Sequence, residues 1–245
     1  MKLPFPVVLA VIGVAVPASG GGAQTPAFGT IVGHVMLTGP HPGNPPIRMG
    51  MDPMCAVANA GRRPVQEIVT AAADGSLANV FVRLDGAFPK TPVPKDPVVV
   101  DQRACLYVPR VVGARVGQTL QVRNSDDILH NAHGLSSKGN AFNVSEPKAG
   151  MVQSFVMKGD ETMLPVTCDI HRWMRTYVGV VSHPYFAVSG ADGTFRIANV
   201  PPGSYTIVAW QERYGLVSQA VRVRPGATTT VAFSYTGKET PAPQP

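Results

Sequence analysis

Long apolar segments are almost absent from this chain of 245 residues. The exception runs from Leu3 to Val16, after a single lysine and before a stretch of small residues that ends near Ala23. This pattern is typical of a secretory signal peptide, which we place at residues 1–23. An uncleaved membrane anchor is the alternative, although the segment is short for a span and contains two prolines. We therefore expect a periplasmic or secreted protein that is peripheral to a membrane at most.

Clusters of positive charge are also lacking. The chain has 21 Lys and Arg against 15 Asp and Glu, and loss of the signal peptide removes one lysine, which leaves a net charge of about +5. The basic residues are scattered, and the densest pair is Arg62-Arg63. Without a basic stripe that alternates with aromatic residues, we do not expect nucleic-acid binding. A mildly basic surface instead favours an acidic protein partner.

No long segment has the 3.6-residue periodicity of an amphipathic helix. Instead, 25 glycines and 24 prolines separate short runs in which apolar and polar residues alternate. Runs of this kind predict β-strands. The predicted strands begin near Thr30, Asn79, Thr119, Gln153, Tyr177, Thr194, Ser204, Gln219 and Thr228. The sequence therefore predicts an all-β protein built from β-sandwiches.

The chain after His183 has a regular pattern of turns and strands. A DG turn begins at Asp192, an F-x-I strand follows at Phe195, and a PPG-x-Y turn begins at Pro201. This pattern resembles the carboxypeptidase regulatory-like (transthyretin-like) domains. The resemblance implies a small, non-catalytic β-sandwich at residues 184–236.

Domains of this kind usually begin with a strand similar to residues 29–39, which here lie at the other end of the chain. Either this N-terminal strand completes the C-terminal sheet and the two units interlock, or the units follow one another along the chain. The tail at residues 237–245 is rich in proline and polar residues, and we expect it to be disordered.

Cysteine is scarce, since the chain has three. In an exported protein cysteines tend to pair, and three leave one unpaired. Cys55 and Cys105 lack neighbours of the kind that bind metals, whereas Cys168 lies three residues before His171. We therefore predict a Cys55–Cys105 disulfide, which closes a loop of about 50 residues and stabilises the fold by about 4 kcal/mol in the chain-entropy model. Cys168 then remains a free thiol.

Cys168, His171 and Met174 follow one another at three-residue intervals in the stretch CDIHRWM. On one loop, this spacing can direct a thiolate, an imidazole and a thioether at a single point. The stretch NSDDILHN supplies a second histidine, His130. Two histidines and a cysteine with a weak axial methionine are the ligands of blue-copper electron-transfer sites. A structural zinc site is not expected, because no second Cys/His pair has the required spacing.

The same two stretches resemble the cupredoxin family, which includes plastocyanin, amicyanin and azurin. Residues 124–131 match its N-x5-H-N motif, and the C-x2-H-x2-M spacing matches the short amicyanin-type loop. The resemblance covers about residues 98–182, the core of a copper domain that we place at residues 27–183. It implies a cupredoxin-like Greek-key β-sandwich that binds one copper ion. The implied ligands are His130, Cys168, His171 and Met174.

The resemblance also implies that Asn131 joins the two ligand loops by hydrogen bonds. Trp173 lies inside the ligand loop beside the expected metal, where smaller residues are common in the family. His133 is the alternative upstream ligand, since it replaces His130 if the strand register differs. The arrangement as a whole resembles exported proteins of the methylamine-utilisation type.

Sequence signatures of enzymes are lacking. The chain has no Ser-His-Asp signature and no phosphate-binding loop, and copper oxidases of this fold need further histidine pairs. We therefore expect an exported mononuclear type 1 copper protein, not an enzyme, that carries single electrons to and from a redox protein. The alternatives are a carrier that donates copper and a metal-free interaction module of the cell envelope.

Overall fold

The computed structural model describes Met1 and residues 27–239. Apart from Met1, the predicted signal peptide lies outside these residues, as do residues 240–245 of the predicted tail. Among the described residues, no helix is long and apolar enough to cross a membrane. Within residues 27–239, the helical structure consists of a 3-10 turn at Met49–Met51 and one short helix, α1, at Pro53–Ala58.

The rest of the described chain consists of strands joined by turns and loops, and nine of its sixteen strands coincide with the predicted ones. In chain order the strands are β1 (Gly29–Leu37), β2 (Phe81–Asp85), β3 (Val98–Arg103), β4 (Leu106–Val108), β5 (Val111–Arg115), β6 (Thr119–Asn124), β7 (His130–Gly134), β8 (Phe142–Glu146), β9 (Val152–Val156), β10 (Glu161–Thr167), β11 (Arg175–Val181), β12 (Phe186–Val188), β13 (Thr194–Val200), β14 (Gly203–Gln211), β15 (Gly215–Val223) and β16 (Thr228–Tyr235).

These strands form four sheets that pack as two β-sandwiches. In the first sandwich, a sheet of order β13-β1-β16 packs against a sheet of order β12-β2-β14-β15. In the second, a sheet of order β5-β11-β10-β7-β8 packs against a sheet of order β4-β3-β6-β9. The prediction of an all-β fold is confirmed.

Both ends of the described chain build the first sandwich. The strand β1 lies between β13, which is antiparallel to it, and β16, which is parallel to it. Its residues alternate between buried and half-buried, and Ile31 and Val35 are buried in one core with Phe195 and Phe233. The N-terminal strand thus completes the C-terminal sheet, and the two units interlock.

The strand β2 also belongs to the first sandwich. This corrects the sequence-based prediction, which assigns residues 27–183 to the copper unit and leaves only the N-terminal strand open to pair with the C-terminal domain. The strand β2 pairs with β12 and β14. Val82 and Leu84 lie in the core of the first sandwich, while Phe81, on the other face, contacts the second. Because both faces of β2 are buried, its local pattern does not indicate which sandwich it joins.

The contact between the two sandwiches is buried and close. The ring of Phe81 lies directly over Gly179 of β11, where a Cβ atom would collide with it. Beside this contact, Arg110 and Glu212 form a buried ion pair at 2.6 Å. The first sandwich therefore supports the strand β11, which follows the predicted ligand loop.

The second sandwich carries the predicted copper ligands. Its strands β7 and β10 are adjacent and antiparallel, so that the start of β7 lies beside the end of β10. His130 is the first residue of β7, and Cys168 directly follows β10. The topology thus brings the two predicted ligand segments to one end of the sandwich.

Candidate metal centre

The upstream segment is shaped by Asn124, which is fully buried at the end of β6. Its side-chain oxygen accepts a hydrogen bond from the backbone N–H of Asp126 at 2.9 Å. Its amide nitrogen donates to the carbonyls of Ile128 (2.9 Å) and Glu146 (2.7 Å). These hydrogen bonds fix the turn that places the side chain of His130 in the interior. They explain why an asparagine stands six residues before the histidine.

The downstream segment is the loop between β10 and β11. Its ends are joined by hydrogen bonds from the N–H of Met174 to the carbonyl of His171 (2.8 Å) and from the N–H of Cys168 to the carbonyl of Met174 (3.2 Å). The N–H of His171 lies 3.4 Å from the Cys168 sulfur, to which it donates. The loop is therefore closed on itself before any metal binds.

Three of the four predicted ligands have donor atoms that lie close to one another. Donor atoms of His130, Cys168 and His171 all lie within 4.8 Å of one another. The Nδ1 atom of His171 is 3.0 Å from Nδ1 of His130 and 3.9 Å from Sγ of Cys168. Met174 is fully buried in the same hydrophobic core as Cys168. Two imidazoles and one thiolate, with a thioether in the same core, fit copper by their donor chemistry.

The other predicted residues lie around this cluster. Asn131 accepts a hydrogen bond from the N–H of Asp169 at 2.6 Å and so joins the two ligand segments. His133 is half-buried, and its Nδ1 atom contacts the carboxylate of Asp169 at 3.0 Å. His133 is not part of the cluster of His130, Cys168 and His171.

Two aspartates that were not predicted from the sequence contact the histidines. The Nε2 atom of His130 lies 3.0 Å from the carboxylate of Asp126, and that of His171 lies 2.8 Å from the carboxylate of Asp52. Asp126 stands four residues before His130, a spacing that was a usable signal. Asp52 is 119 residues before His171, and no local pattern links them.

A segment that contains α1 covers the cluster. The predicted disulfide joins Cys55 of α1 to Cys105 in the β3–β4 turn, and Cys168 is the free cysteine of the described chain. The Cys55 sulfur is 3.6 Å from Nε2 of His171. Trp173 lies on this side as well, with its ring 5.1 Å from that of His171 between centroids and its N–H donated to the Cys105 carbonyl at 2.9 Å. His171 is consequently only 2% exposed.

The hydrogen bonds of the cluster favour charged forms in the metal-free protein. Burial acts against a charged imidazole at His130, but the partners Asp126 and Cys168 outweigh it and raise the pKa of His130 to about 9. Burial also acts against a thiolate at Cys168, yet hydrogen bonds from His130 and from backbone N–H groups lower the pKa of this thiol. Both pKa shifts favour an imidazolium–thiolate pair.

One family of known proteins matches the C-terminal part of the chain. Residues 178–236 match the family described as the carboxypeptidase regulatory-like domain. This match begins within β11 and ends one residue after β16. No curated protein sequence matches the chain.

Solved structures of copper proteins match part of the chain. A copper-containing nitrite reductase from Thermus scotoductus is 20% identical over 39% of this chain, with a TM-score of 0.33, and the chain spans only 24% of that enzyme. A Cu(I) amicyanin variant is 20% identical over 40% of this chain and 97% of its own, with a TM-score of 0.31. A purple cupredoxin from Nitrosopumilus maritimus is 21% identical over 34% of this chain and 98% of its own, with a TM-score of 0.30. Both predicted resemblances are thus found, to carboxypeptidase regulatory-like domains over residues 178–236 and to cupredoxin structures over about 40% of the chain.

Proposed function

We propose that this protein is an exported mononuclear copper protein that carries single electrons between redox partners. One observation carries the proposal, namely that the donor atoms of His130, Cys168 and His171 lie within 4.8 Å of one another in a buried cluster. A bound copper ion supplies a one-electron couple between Cu(I) and Cu(II). Thiolate and thioether ligands suit Cu(I), while imidazoles accept both oxidation states.

The protein contributes rigidity and the exclusion of water. His130, Cys168, His171 and Met174 are between 0% and 2% exposed. The ligand loop is closed by its own backbone hydrogen bonds, and its exit strand β11 packs against the first sandwich. Donors that are held in place independently of the metal need little rearrangement when its charge changes, which favours fast electron transfer.

The surface around the centre suits an acidic partner. Arg172 is exposed in the ligand loop next to His171, and Arg62 and Arg63 are exposed after the segment that covers the centre. Opposite charge on a partner speeds the encounter and orients it. We propose that an acidic redox partner docks near Arg172 on the ligand loop, and that the signal-peptide pattern at the N-terminus directs the protein to the periplasm or out of the cell.

The visible spectrum of the purified, copper-loaded protein tests this function. We expect an intense thiolate-to-copper charge-transfer band that disappears on reduction and returns on oxidation, and that is absent from the Cys168→Ser variant. Tight Cu(I) binding with rapid loss of copper to a chelator indicates a copper donor instead. A protein that binds no copper contradicts the proposal and favours an interaction module.

A further inference from the structure

The two unpredicted aspartates occupy corresponding places at the two histidines. Asp52 contacts Nε2 of His171, and Asp126 contacts Nε2 of His130, while both Nδ1 atoms face each other inside the cluster. A carboxylate accepts a hydrogen bond, so each Nε2 atom carries a hydrogen and each Nδ1 atom is left for a metal. A hydrogen bond of this kind fixes both the tautomer and the orientation of a metal-binding imidazole.

Each carboxylate is in turn held by backbone N–H groups at a disulfide-bonded cysteine. One oxygen of Asp52 accepts from the N–H groups of Met54 and Cys55, both at 3.0 Å. Asp126 accepts from the N–H groups of Ala104 at 2.7 Å and Cys105 at 2.8 Å. The disulfide between the two cysteines joins these two aspartate sites. Both carboxylates are therefore tied to a single covalent link beside the cluster.

The turn that holds Asp126 is itself unusual. Ala104 and Cys105 have φ angles of 51° and 54°, in the left-handed region that non-glycine residues rarely adopt. Strained residues of this kind persist where the surrounding structure determines them, and they often occur at functional sites. Here Oδ1 of Asp126 accepts a hydrogen bond from the N–H of Ala104, while Oδ2 accepts one from the N–H of Cys105 and also contacts Nε2 of His130.

We propose that Asp52 and Asp126 are positioning residues that hold His171 and His130 with Nδ1 toward the metal and that favour Cu(II) over Cu(I). The side chains of Asp52 and Asp126 are 27% and 10% exposed, so water screens their charges incompletely. Two nearby negative charges stabilise the ion of higher charge more strongly. This inference rests on the proposed function, because it concerns the same copper centre.

The test compares three single substitutions, Asp52→Asn, Asp126→Asn and Asp127→Asn. Asp127 is the matched control, because it is exposed and adjacent to Asp126 and the change removes the same charge. Reduction potentials come from redox titration of the visible band, and Cu(II) and Cu(I) affinities from competition with chelators. We expect Asp52→Asn and Asp126→Asn to raise the potential and to weaken Cu(II) binding by about 10- to 100-fold, with less effect on Cu(I). Asp127→Asn should change neither quantity.

A second measurement separates positioning from general stability. In the metal-free wild type, nitrogen-edited NMR should show slowly exchanging Nε2 hydrogens on His130 and His171. Each Asn variant should show faster exchange of this hydrogen at its own histidine, whatever its melting temperature, because a neutral amide oxygen is a weaker acceptor than a carboxylate. The inference is overturned if both variants have the potential and affinities of Asp127→Asn, or if neither variant folds. A wild-type protein that binds no copper contradicts the proposed function itself. A wild type that binds copper with Asn variants that behave like the control contradicts only the inference about the aspartates.

Discussion

The Nδ1 atoms of His130 and His171 lie 3.0 Å apart, at hydrogen-bond distance. Two neutral acceptors do not approach in this way without a hydrogen between them. Burial acts against a charged imidazole at His130, but Asp126 and Cys168 raise the pKa of His130 to about 9, which favours its protonated form at neutral pH. These two nitrogens are the ones that we propose bind copper.

Copper binding should therefore release at least one proton near neutral pH. Below a pH of about 9, His130 must lose its proton before it binds a metal, so the apparent Cu(II) affinity should rise as pH rises toward that value. One competing proton changes the affinity by about tenfold per pH unit. Calorimetric titrations in buffers of different ionisation enthalpy measure the number released. An affinity that stays constant between about pH 7 and about pH 9 contradicts the assignment.

Alanine substitutions of His130 and His133 should have opposite effects on the thiolate-to-copper band. His130→Ala should abolish the thiolate band, because it removes a buried donor atom from the cluster. His133→Ala should keep the band, because Nδ1 of His133 contacts Asp169 outside the cluster. Spectra of the two copper-loaded variants decide the matter, and the reverse pattern would show that His133 is the ligand.

The proposed role of Met174 as a weak copper ligand predicts a graded effect. Met174→Leu should retain copper and colour but raise the reduction potential, because a weak donor to Cu(II) is lost. A tenfold loss of Cu(II) affinity relative to Cu(I) corresponds to about 59 mV. Met163→Leu is the matched control, since Met163 is buried in a different core cluster. A complete loss of copper in Met174→Leu alone would mean that the thioether does more than tune the potential.

The interlocked topology predicts that the copper unit does not fold without the C-terminal strands. A chain that ends at Ser182 lacks the partners of β1 and β2, which leaves unpaired, apolar strands exposed. We expect it to aggregate, whereas a chain that ends at Glu239 should remain folded. Light scattering and far-UV circular dichroism distinguish these outcomes. A soluble, blue protein from the shorter chain would contradict the prediction.

The odd cysteine gives a chemical test. Under denaturing, non-reducing conditions, alkylation and peptide mapping should find one free thiol per chain, at Cys168. Cys168→Ser should remove the colour and leave a folded protein, while Cys55→Ser should lower the free energy of unfolding by about 2–4 kcal/mol. Native protein in which Cys168 is disulfide-bonded to either other cysteine would contradict the copper assignment.

Much of the fold was predictable because its strands carry local signals. Nine strands were recognised from alternating residues and bounding turns. The adjacent strands β7 and β10, which position His130 and Cys168, were not predicted from the sequence. β7 is short and mostly polar, and β10 contains Pro165, which argues against a strand inside a sheet. Their pairing depends on partners distant in the sequence.

The sequence alone predicts the donors of the ligand loop, because Cys168, His171 and Met174 lie within seven residues. The Cys55–Cys105 pairing also followed from the neighbours of each cysteine. Only the tertiary structure decided that Asp52 and Asp126 reach the two histidines, and that the chain's first two strands belong with its last. Such contacts depend on strand register and on the path of long loops, and both are set by the packing of the whole chain rather than by local periodicity.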